Sequence, residues 1–128
     1  MKSFYRTFTL GLFIIVFGSF TGINDDINAA LKAGNAFKVS AFFDTKVDIT
    51  ILDESDLLSK LEAEKMLYDF FYSHHPSDFK VQHHGESKSG SEYTIGKLIT
   101  NNGTFRLSYY ISKSNNSEHI QQMIIDAE

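Results

Sequence analysis

The sequence contains no cysteine and no cluster of lysine and arginine residues. Without cysteine the fold has no disulfide bond, so its core alone must hold it together, and the lipid-attachment cysteine of bacterial lipoproteins is absent too. Proteins that bind nucleic acid neutralise several phosphates with clustered basic side chains. We therefore expect no nucleic-acid partner.

Motifs that identify a reaction are also missing from the sequence. It has no glycine-rich phosphate loop, no nucleophile elbow and no metal-binding helix motif. Adjacent histidines on a strand point to opposite faces, so they cannot easily chelate one metal ion. The five histidines follow no ligand spacing: His74, His75, His83, His84 and His119. We predict no catalytic residue, no metal site and no cofactor.

The length of 128 residues suits one domain. Hydrophobic residues make up 42% of the chain and aromatic residues 14%, which favours a packed core over a disordered chain.

Residues 1–22 have the layout of a secretory signal peptide. Lys2 and Arg6 give a positive start, residues 10–17 form an apolar run, and small residues follow it. The run is shorter than the roughly 20 residues of a membrane-spanning helix, so we favour a cleaved signal over an uncleaved anchor. We expect an exported, soluble protein, periplasmic or secreted, whose single domain covers residues 23–128 and has no membrane span. Removing Lys2 and Arg6 leaves ten basic residues against sixteen acidic ones, a net charge of −6.

The first half of this domain predicts helices and one strand. Apolar residues recur at helical spacing over residues 23–31, with Asn24 as the N-cap, and again over residues 63–71. The second helix starts after a Ser59–Glu62 capping box and ends before Pro76. Between the two helices the pattern predicts a short helix over residues 36–43, a half-buried strand over 47–51 and a charged turn over 53–56.

The second half predicts a bent antiparallel sheet. Runs of β-forming residues alternate with turn-forming residues, and Asn102-Gly103 and Asn115-Asn116 suit two-residue turns. The first of these turns places Leu98 opposite Leu107. The strands are predicted over residues 79–87, 92–100, 104–112 and 118–126.

The second turn fixes the pairing of the last two strands. Ile111 then faces Ile120, and Tyr109 faces Gln122. The apolar phase changes further upstream, and a bulge at Gly96 would bring Tyr93 onto the same face. The helices would cover this concave face, which collects Phe105, Leu107, Tyr109, Ile111, Ile120 and Ile124.

Tyr109 and Gln122 are the leading pocket candidates, because a phenol and an amide among aliphatic side chains need polar partners. They could orient a small ligand in a cavity, or they could satisfy each other or a buried water. His83, which is in phase with Phe79, and Tyr93 complete the pocket candidates.

The opposite face of the last hairpin is partly apolar, and an apolar cluster on a sheet can mark a partner surface. This outer face is predicted to carry Arg106, Tyr110, His119, Gln121, Met123 and Ile125. This face is a candidate homodimer interface, with four candidate residues: Arg106, Tyr110, Met123 and Ile125.

The order of these elements resembles the nuclear-transport-factor-two-like superfamily, which also goes by the names ketosteroid-isomerase-like, SnoaL-like and cystatin-like. Residues 29–53, 92–113 and 119–126 are similar to a family of uncharacterised secreted proteins from Gram-negative bacteria, a domain of unknown function in that superfamily. The resemblance implies export and an α+β fold, in which N-terminal helices pack on a curved antiparallel sheet to form a cone with a cavity. It supplies no catalytic residue.

The superfamily includes steroid isomerases and polyketide cyclases, and an isomerase needs a carboxylate on the concave face. The predicted register places only Glu118 there, at the rim. We therefore predict an exported, non-catalytic domain that binds a small apolar ligand or a protein partner through its cavity or its outer sheet face. The alternatives are an isomerase- or cyclase-like enzyme that uses the cavity, and a purely structural or interaction protein of the cell envelope.

Overall fold

The computed structural model describes residues 22–88, 90–114 and 116–128. The predicted signal peptide lies outside these residues except for Gly22, and so does Asn115 of the second predicted turn. Within the described chain, no helix combines the length and the apolar character that a membrane crossing requires.

The described chain begins with two helices, α1 (Ile23–Ala33) and α2 (Ala36–Ser40), and a longer helix, α3 (Lys60–Ser73), follows later. α1 ends at Gly34, which has a left-handed φ of 66°, and the side chain of Asn35 caps α2. The capping box of α3 is present, with Ser59 and Glu62 each accepting the backbone N–H of the other. Asn24 does not cap α1: it lies inside the helix, and its side chain bonds to the sheet.

The strands form one curved, open sheet in the order β2-β1-β6-β5-β4-β3. β1 and β6 run parallel, and the other neighbouring pairs are antiparallel. The strands are β1 (Phe43–Ile51), β2 (Glu54–Ser59), β3 (Pro76–Glu86), β4 (Glu92–Thr100), β5 (Gly103–Ser114) and β6 (Ser117–Ala127).

The strand β2 was not predicted, and the charged turn expected over residues 53–56 is wrong. Glu54 already pairs with Ile51, and β2 continues antiparallel to β1 as the edge of the sheet. Its first four residues are exposed on both faces. Such a strand has no buried face, so its sequence lacks the alternation by which strands are recognised.

The helices cover the concave face of the sheet, which confirms the predicted α+β fold. With no disulfide bond, apolar burial is the main stabilising contribution, at about 2 kcal/mol for each large aliphatic side chain. The fully buried side chains of the sheet include Val47, Ile49, Leu98, Leu107, Tyr109, Ile111, Ile120, Met123 and Ile125. The helices contribute Ile27, Leu31, Val39, Ala63, Leu67, Phe70 and Phe71.

The β4–β5 hairpin differs from its predicted register. Leu98 pairs with Phe105 and Thr100 with Gly103, so the turn starts one residue earlier than predicted, at Asn101. Gly103 has a φ of 114°, which favours glycine. The register has moved by an even number of residues, and because side chains alternate with period 2, every β5 side chain keeps its predicted face.

β6 contains a bulge that the sequence pattern did not reveal. Ile111 pairs with Ile120 as predicted, but the next pair joins Tyr110 to Gln122, which leaves Gln121 as an extra residue. Beyond the bulge every predicted face of β6 is reversed.

The predicted placement of Met123 and Ile125 on the outer face is therefore wrong. Both side chains lie in the core with 0% exposure, opposite Tyr109 and Leu107. Gln122 now lies on the outer face instead of beside Tyr109.

The predicted bulge at Gly96 is also wrong, because the β4–β5 ladder passes through Gly96 without interruption. A bulge lies instead at Gln82 on β3, where Val81 pairs with Gly96 and His83 with Ile95. Because β4 has no bulge at Gly96, Tyr93 stays on the outer face. Because β3 has one at Gln82, His83 is exposed rather than buried. The concave face of β4 carries Glu92, Thr94, Gly96 and Leu98.

Candidate functional site

A group of polar side chains lies at one end of the concave face, between α1 and the sheet. Three neighbouring strands and α1 contribute to it, because Thr94 pairs with both Tyr109 on β5 and His84 on β3. We call this group the polar cluster, and it consists of Asn24, Asn28, His84, Glu92, Thr94, Tyr109 and Lys113.

The centre of the polar cluster is the phenol of Tyr109, which is fully buried. Asn24 and Asn28 lie one helical turn apart on α1 and face it. The Tyr109 hydroxyl is 3.0 Å from Oδ1 of Asn24 and 2.8 Å from Oδ1 of Asn28. It has a single proton, so it donates to one of these oxygens at a time. Burial raises the pKa of Tyr109 to about 12, and the phenol therefore stays protonated at neutral pH.

The carboxamide of Asn24 is held at both ends. Its Nδ2 donates to Oε1 of Glu92 at 3.1 Å, and its Oδ1 faces the hydroxyls of Tyr109 and Thr94. These contacts fix the orientation of the amide and attach the first turns of α1 to β4 and β5.

Glu92 joins the buried part of the polar cluster to its two more exposed members, His84 and Lys113. Its other oxygen, Oε2, is 2.9 Å from Nζ of Lys113, and Nε2 of His84 is 3.6 Å from Oε1. Burial of this carboxylate acts to raise its pKa, but hydrogen bonds from Lys113 and Asn24 and the charges of Lys113 and His84 outweigh it, so the pKa of Glu92 lies below its ordinary value. Nδ1 of His84 lies 2.9 Å from the Thr94 hydroxyl.

The arrangement of these groups does not suit acid–base catalysis. A general base works best with a pKa near the working pH, whereas the pKa of Glu92 is lowered and both its oxygens are engaged. The Tyr109 hydroxyl already lies within hydrogen-bond distance of two amide oxygens, and Tyr109 has no exposure to solvent. The polar cluster instead joins α1 to the sheet.

Of the four predicted pocket residues, only Tyr109 lies in the polar cluster. Gln122 and His83 lie on or toward the outer face because of the bulges on β6 and β3, and Tyr93 lies there because β4 has no bulge at Gly96. Glu92 was not predicted, because the odd residues of β4 before Gly96 were assigned to the concave face. The alternation of Glu92 with Thr94 and Leu98 was the signal that could have revealed it.

Tyr109→Phe is expected to lower the free energy of unfolding by roughly 1–3 kcal/mol, because buried amide oxygens on α1 lose their donor. Tyr110→Phe is a matched control on the outer face and should change it by less than about 0.5 kcal/mol. Urea unfolding of both variants measures the difference. Equal effects would contradict the role given to the Tyr109 hydroxyl.

The stabilisation from Glu92 is expected to disappear in acid. Its folded-state pKa lies below the ordinary 4.5, so the contribution is complete above that value and is lost as the pH falls through the folded pKa. Urea unfolding of wild type and Glu92→Gln at about pH 7 and about pH 3 tests this. The gap between the two proteins should narrow in acid, and a constant gap would contradict the expectation.

The outer face of β4, β5 and β6 carries a second candidate surface. Tyr93 is 36% exposed, and its ring lies 6.4 Å from that of Tyr110 on the next strand. Ile95 and Ile124 are half-buried on the same face. We call Tyr93, Ile95, Tyr110 and Ile124 the outer patch.

Charged side chains border the outer patch on one side. Lys97, Arg106 and Asp126 lie in register on β4, β5 and β6. Arg106 is an exposed outer-face residue, as predicted. Lys97 also reaches Glu128, with 3.0 Å between Nζ and Oε1. The outer face therefore combines an apolar centre with charges of both signs.

A shallow groove of about 400 Å³ lies between α1 and α2. Its lining is mainly apolar, and Phe37 at this site is 72% exposed. The apolar lining residues are Ala29, Ala30, Ala33, Phe37, Ala41 and Phe42.

A family model described as a domain of unknown function, DUF4783, matches residues 24–126. The crystal structure of a DUF4783 family protein from Bacteroides uniformis is 32% identical, with 84% of this chain and 98% of that chain covered and a TM-score of 0.79. No curated protein matches the sequence.

More distant structures share the fold. A domain of unknown function with a cystatin-like fold from Nostoc punctiforme is 12% identical, covering 82% of this chain and 72% of its own, with a TM-score of 0.64. An NTF2-like protein of unknown function from Cytophaga hutchinsonii is 10% identical, covering 78% and 81%, with a TM-score of 0.55. The predicted superfamily is thereby confirmed at the level of the fold.

Proposed function

The chain belongs to the DUF4783 family, a domain of unknown function, and from that premise we propose that it is an exported, non-catalytic domain that binds a protein partner through the outer face of its sheet. The observation that carries this proposal is the outer patch, an apolar surface on β4, β5 and β6. Its members are Tyr93, Ile95, Tyr110 and Ile124.

The position of the outer patch supports a partner surface. Single exposed apolar residues are common on proteins, but a contiguous group across adjacent strands is characteristic of an interaction site. The helices cover the other face of these strands, so the outer patch lies on the face that the described residues leave open. Tyrosine and arginine are enriched at interfaces, and Tyr93, Tyr110 and Arg106 meet here.

The polar cluster supports the non-catalytic part of the proposal. An isomerase- or cyclase-like enzyme would need an accessible acid or base on the concave face. Tyr109 and Glu92 hold such positions, but their polar atoms bind α1 and Lys113. Export rests on the signal-peptide pattern of residues 1–22.

Crosslinking in the envelope of the exporting cell tests the proposal. Wild type and Tyr72→Asp should give the same crosslinked complex, since Tyr72 is 82% exposed and lies on α3, away from the outer patch. Tyr110→Asp should reduce that complex at least about tenfold, because it places a charge in the centre of an apolar interface. A complex that survives Tyr110→Asp unchanged, or no complex from wild type, would overturn the proposal.

The groove between α1 and α2 favours a second candidate function, the binding of a small apolar ligand. Its volume of about 400 Å³ falls within the range of known ligand sites, and its lining is mainly apolar. Native mass spectrometry of protein purified gently from the envelope should then show an added mass. Phe37→Ser should remove the added mass while Tyr72→Ser retains it, and bare chains throughout would exclude this candidate.

A further inference from the structure

We infer that the edge of the sheet at β2 is a second binding site, which accepts an extended basic peptide of a protein partner as an added strand. This site goes beyond the proposed function, because it uses the edge of the sheet and not the outer patch. β2 is the terminal strand of the sheet, and among the described residues it pairs only with β1. β1 separates it from β6, the nearest strand of the outer patch.

The backbone of β2 presents polar groups at this edge. The N–H of Leu52 donates to β6, so the carbonyl of Ile51, on the other side of the same peptide plane, points toward β2. Ile51 pairs with Glu54, and hydrogen-bonded pairs alternate with non-hydrogen-bonded pairs along an antiparallel ladder. The N–H and C=O groups of Ser55 and Leu57 therefore point away from β1.

Two contacts agree with this direction. The exposed N–H of Leu57 donates to Oδ1 of Asp56 at 2.8 Å, so this donor is held by a neighbouring side chain and not by β1. The hydroxyls of Thr50 and Ser55 lie 2.9 Å apart, as expected for the closer side chains of a non-hydrogen-bonded pair. An incoming strand can displace the Asp56 carboxylate and bond to Ser55 and Leu57 through its own backbone, the mode known as β-augmentation.

The side of this edge that faces α3 is negatively charged. Glu54 and Asp56 pair with Ile51 and Ile49, which are buried on the concave face, so their side chains point to that face too. They line a groove of about 600 Å³ between β2 and α3, which we call the acidic groove. Its charged residues are Asp53, Glu54, Asp56, Glu62, Lys65 and Asp69.

Charge complementarity selects the occupant of this edge. Charged side chains on an edge strand discourage pairing with other sheets. In the acidic groove, carboxylates outnumber the single lysine, and that lysine lies 3.7 Å from Asp69. The edge therefore repels acidic strands, including β2 of a second copy, and attracts a strand that carries lysine or arginine.

The alternation of β2 also specifies the pattern of the added strand. Leu57 points to the outer face and is 62% exposed, whereas Glu54 and Asp56 point into the acidic groove. Paired side chains of neighbouring strands share a face. The peptide that fits both faces has basic residues at every second position and apolar residues between them.

Fluorescence anisotropy with a labelled seven-residue peptide of alternating lysine and valine, lysine at both ends, tests this site on the purified protein. Wild type should bind it. Two control peptides should bind at least about tenfold more weakly: one with glutamate in place of lysine, and one with the central valine replaced by proline. The proline peptide keeps every charge but cannot complete an added strand.

Ser55→Pro removes a donor that points away from β1, so the ladder with β1 stays complete. It should weaken binding of the lysine peptide at least about tenfold, whereas the matched control Ser55→Ala, which keeps the N–H, should change it less than about twofold. Asp56→Asn should weaken binding about threefold or more. Asp78→Asn should not, because that carboxylate makes the same contact with the next N–H but lies on β3, at the opposite edge.

Three results would overturn the site: no binding of the lysine peptide by wild type, equal binding of the lysine and proline peptides, or unchanged binding by folded Ser55→Pro. The peptide comparison uses wild type alone, so it decides the question even where Ser55→Pro does not fold. Tyr110→Asp should bind the peptide as wild type does, and Ser55→Pro should keep the envelope complex of the outer patch. Failure of one site is thereby distinguished from failure of the other.

Discussion

Met123→Asp is expected to unfold the protein, whereas Ile124→Asp, one residue further along β6, is expected to leave the monomer folded. Met123 has 0% exposure and packs opposite Tyr109. An unpaired carboxylate there costs roughly 5 kcal/mol, a large part of the total stability of a small domain. Ile124 lies on the outer face, where the new carboxylate can remain in water.

Circular dichroism and urea unfolding of the two variants measure this contrast. Because Met123 and Ile124 are neighbours, the comparison tests the bulge at Gln121 directly. Without that bulge the two residues would exchange faces, and Ile124→Asp would be the variant that unfolds. That reversed result would contradict the register of β6.

Gly96→Ala is expected to destabilise the protein by about 3 kcal/mol, the upper end of the cost of overpacking. A Cβ at Gly96 would lie 2.6 Å from the Phe79 ring and 2.7 Å from the carbonyl oxygen of Lys80. The ring is buried and the carbonyl belongs to the backbone of β3, so neither can move away cheaply.

Gly85→Ala is the matched control for this substitution. A Cβ at Gly85 would also be too close to its neighbour, but that neighbour is the ring of Tyr93 at 2.8 Å. This ring is partly exposed on the outer face and can turn toward solvent, so we expect a cost below about 1 kcal/mol. Equal losses in urea unfolding would contradict the close packing of Phe79 on Gly96.

The helices of this fold could be predicted because their signals are local. The Ser59–Glu62 capping box and the left-handed Gly34 depend on residues within one turn. The strand β5 was also assigned to the correct faces, since its alternation runs without a bulge from Phe105 to Ile111.

The bulges at Gln82 on β3 and at Gln121 on β6 could not be predicted in the same way. Each adds one glutamine, with no glycine or turn residue to mark it. Where a strand bulges depends on packing between strands and not on local sequence. One bulge reverses every face beyond it, and this alone misplaced Gln122, Met123 and Ile125.

The contacts of the polar cluster could not be predicted either, because they join distant parts of the chain. Tyr109 was correctly placed on the concave face, but its partners Asn28 and Asn24 lie 81 and 85 residues earlier in the chain. Asn24 near a helix start resembles an N-cap, and only its position relative to the sheet reveals that it binds Glu92 and Tyr109.

The central claim is that the outer face of the sheet is a binding surface for a protein partner, and crosslinking in the envelope of the exporting cell tests it most directly. Wild type and Tyr72→Asp should give the same crosslinked complex, and folded Tyr110→Asp protein should lose it. A wild-type chain that gives no complex, or a complex that survives Tyr110→Asp unchanged, would contradict the claim.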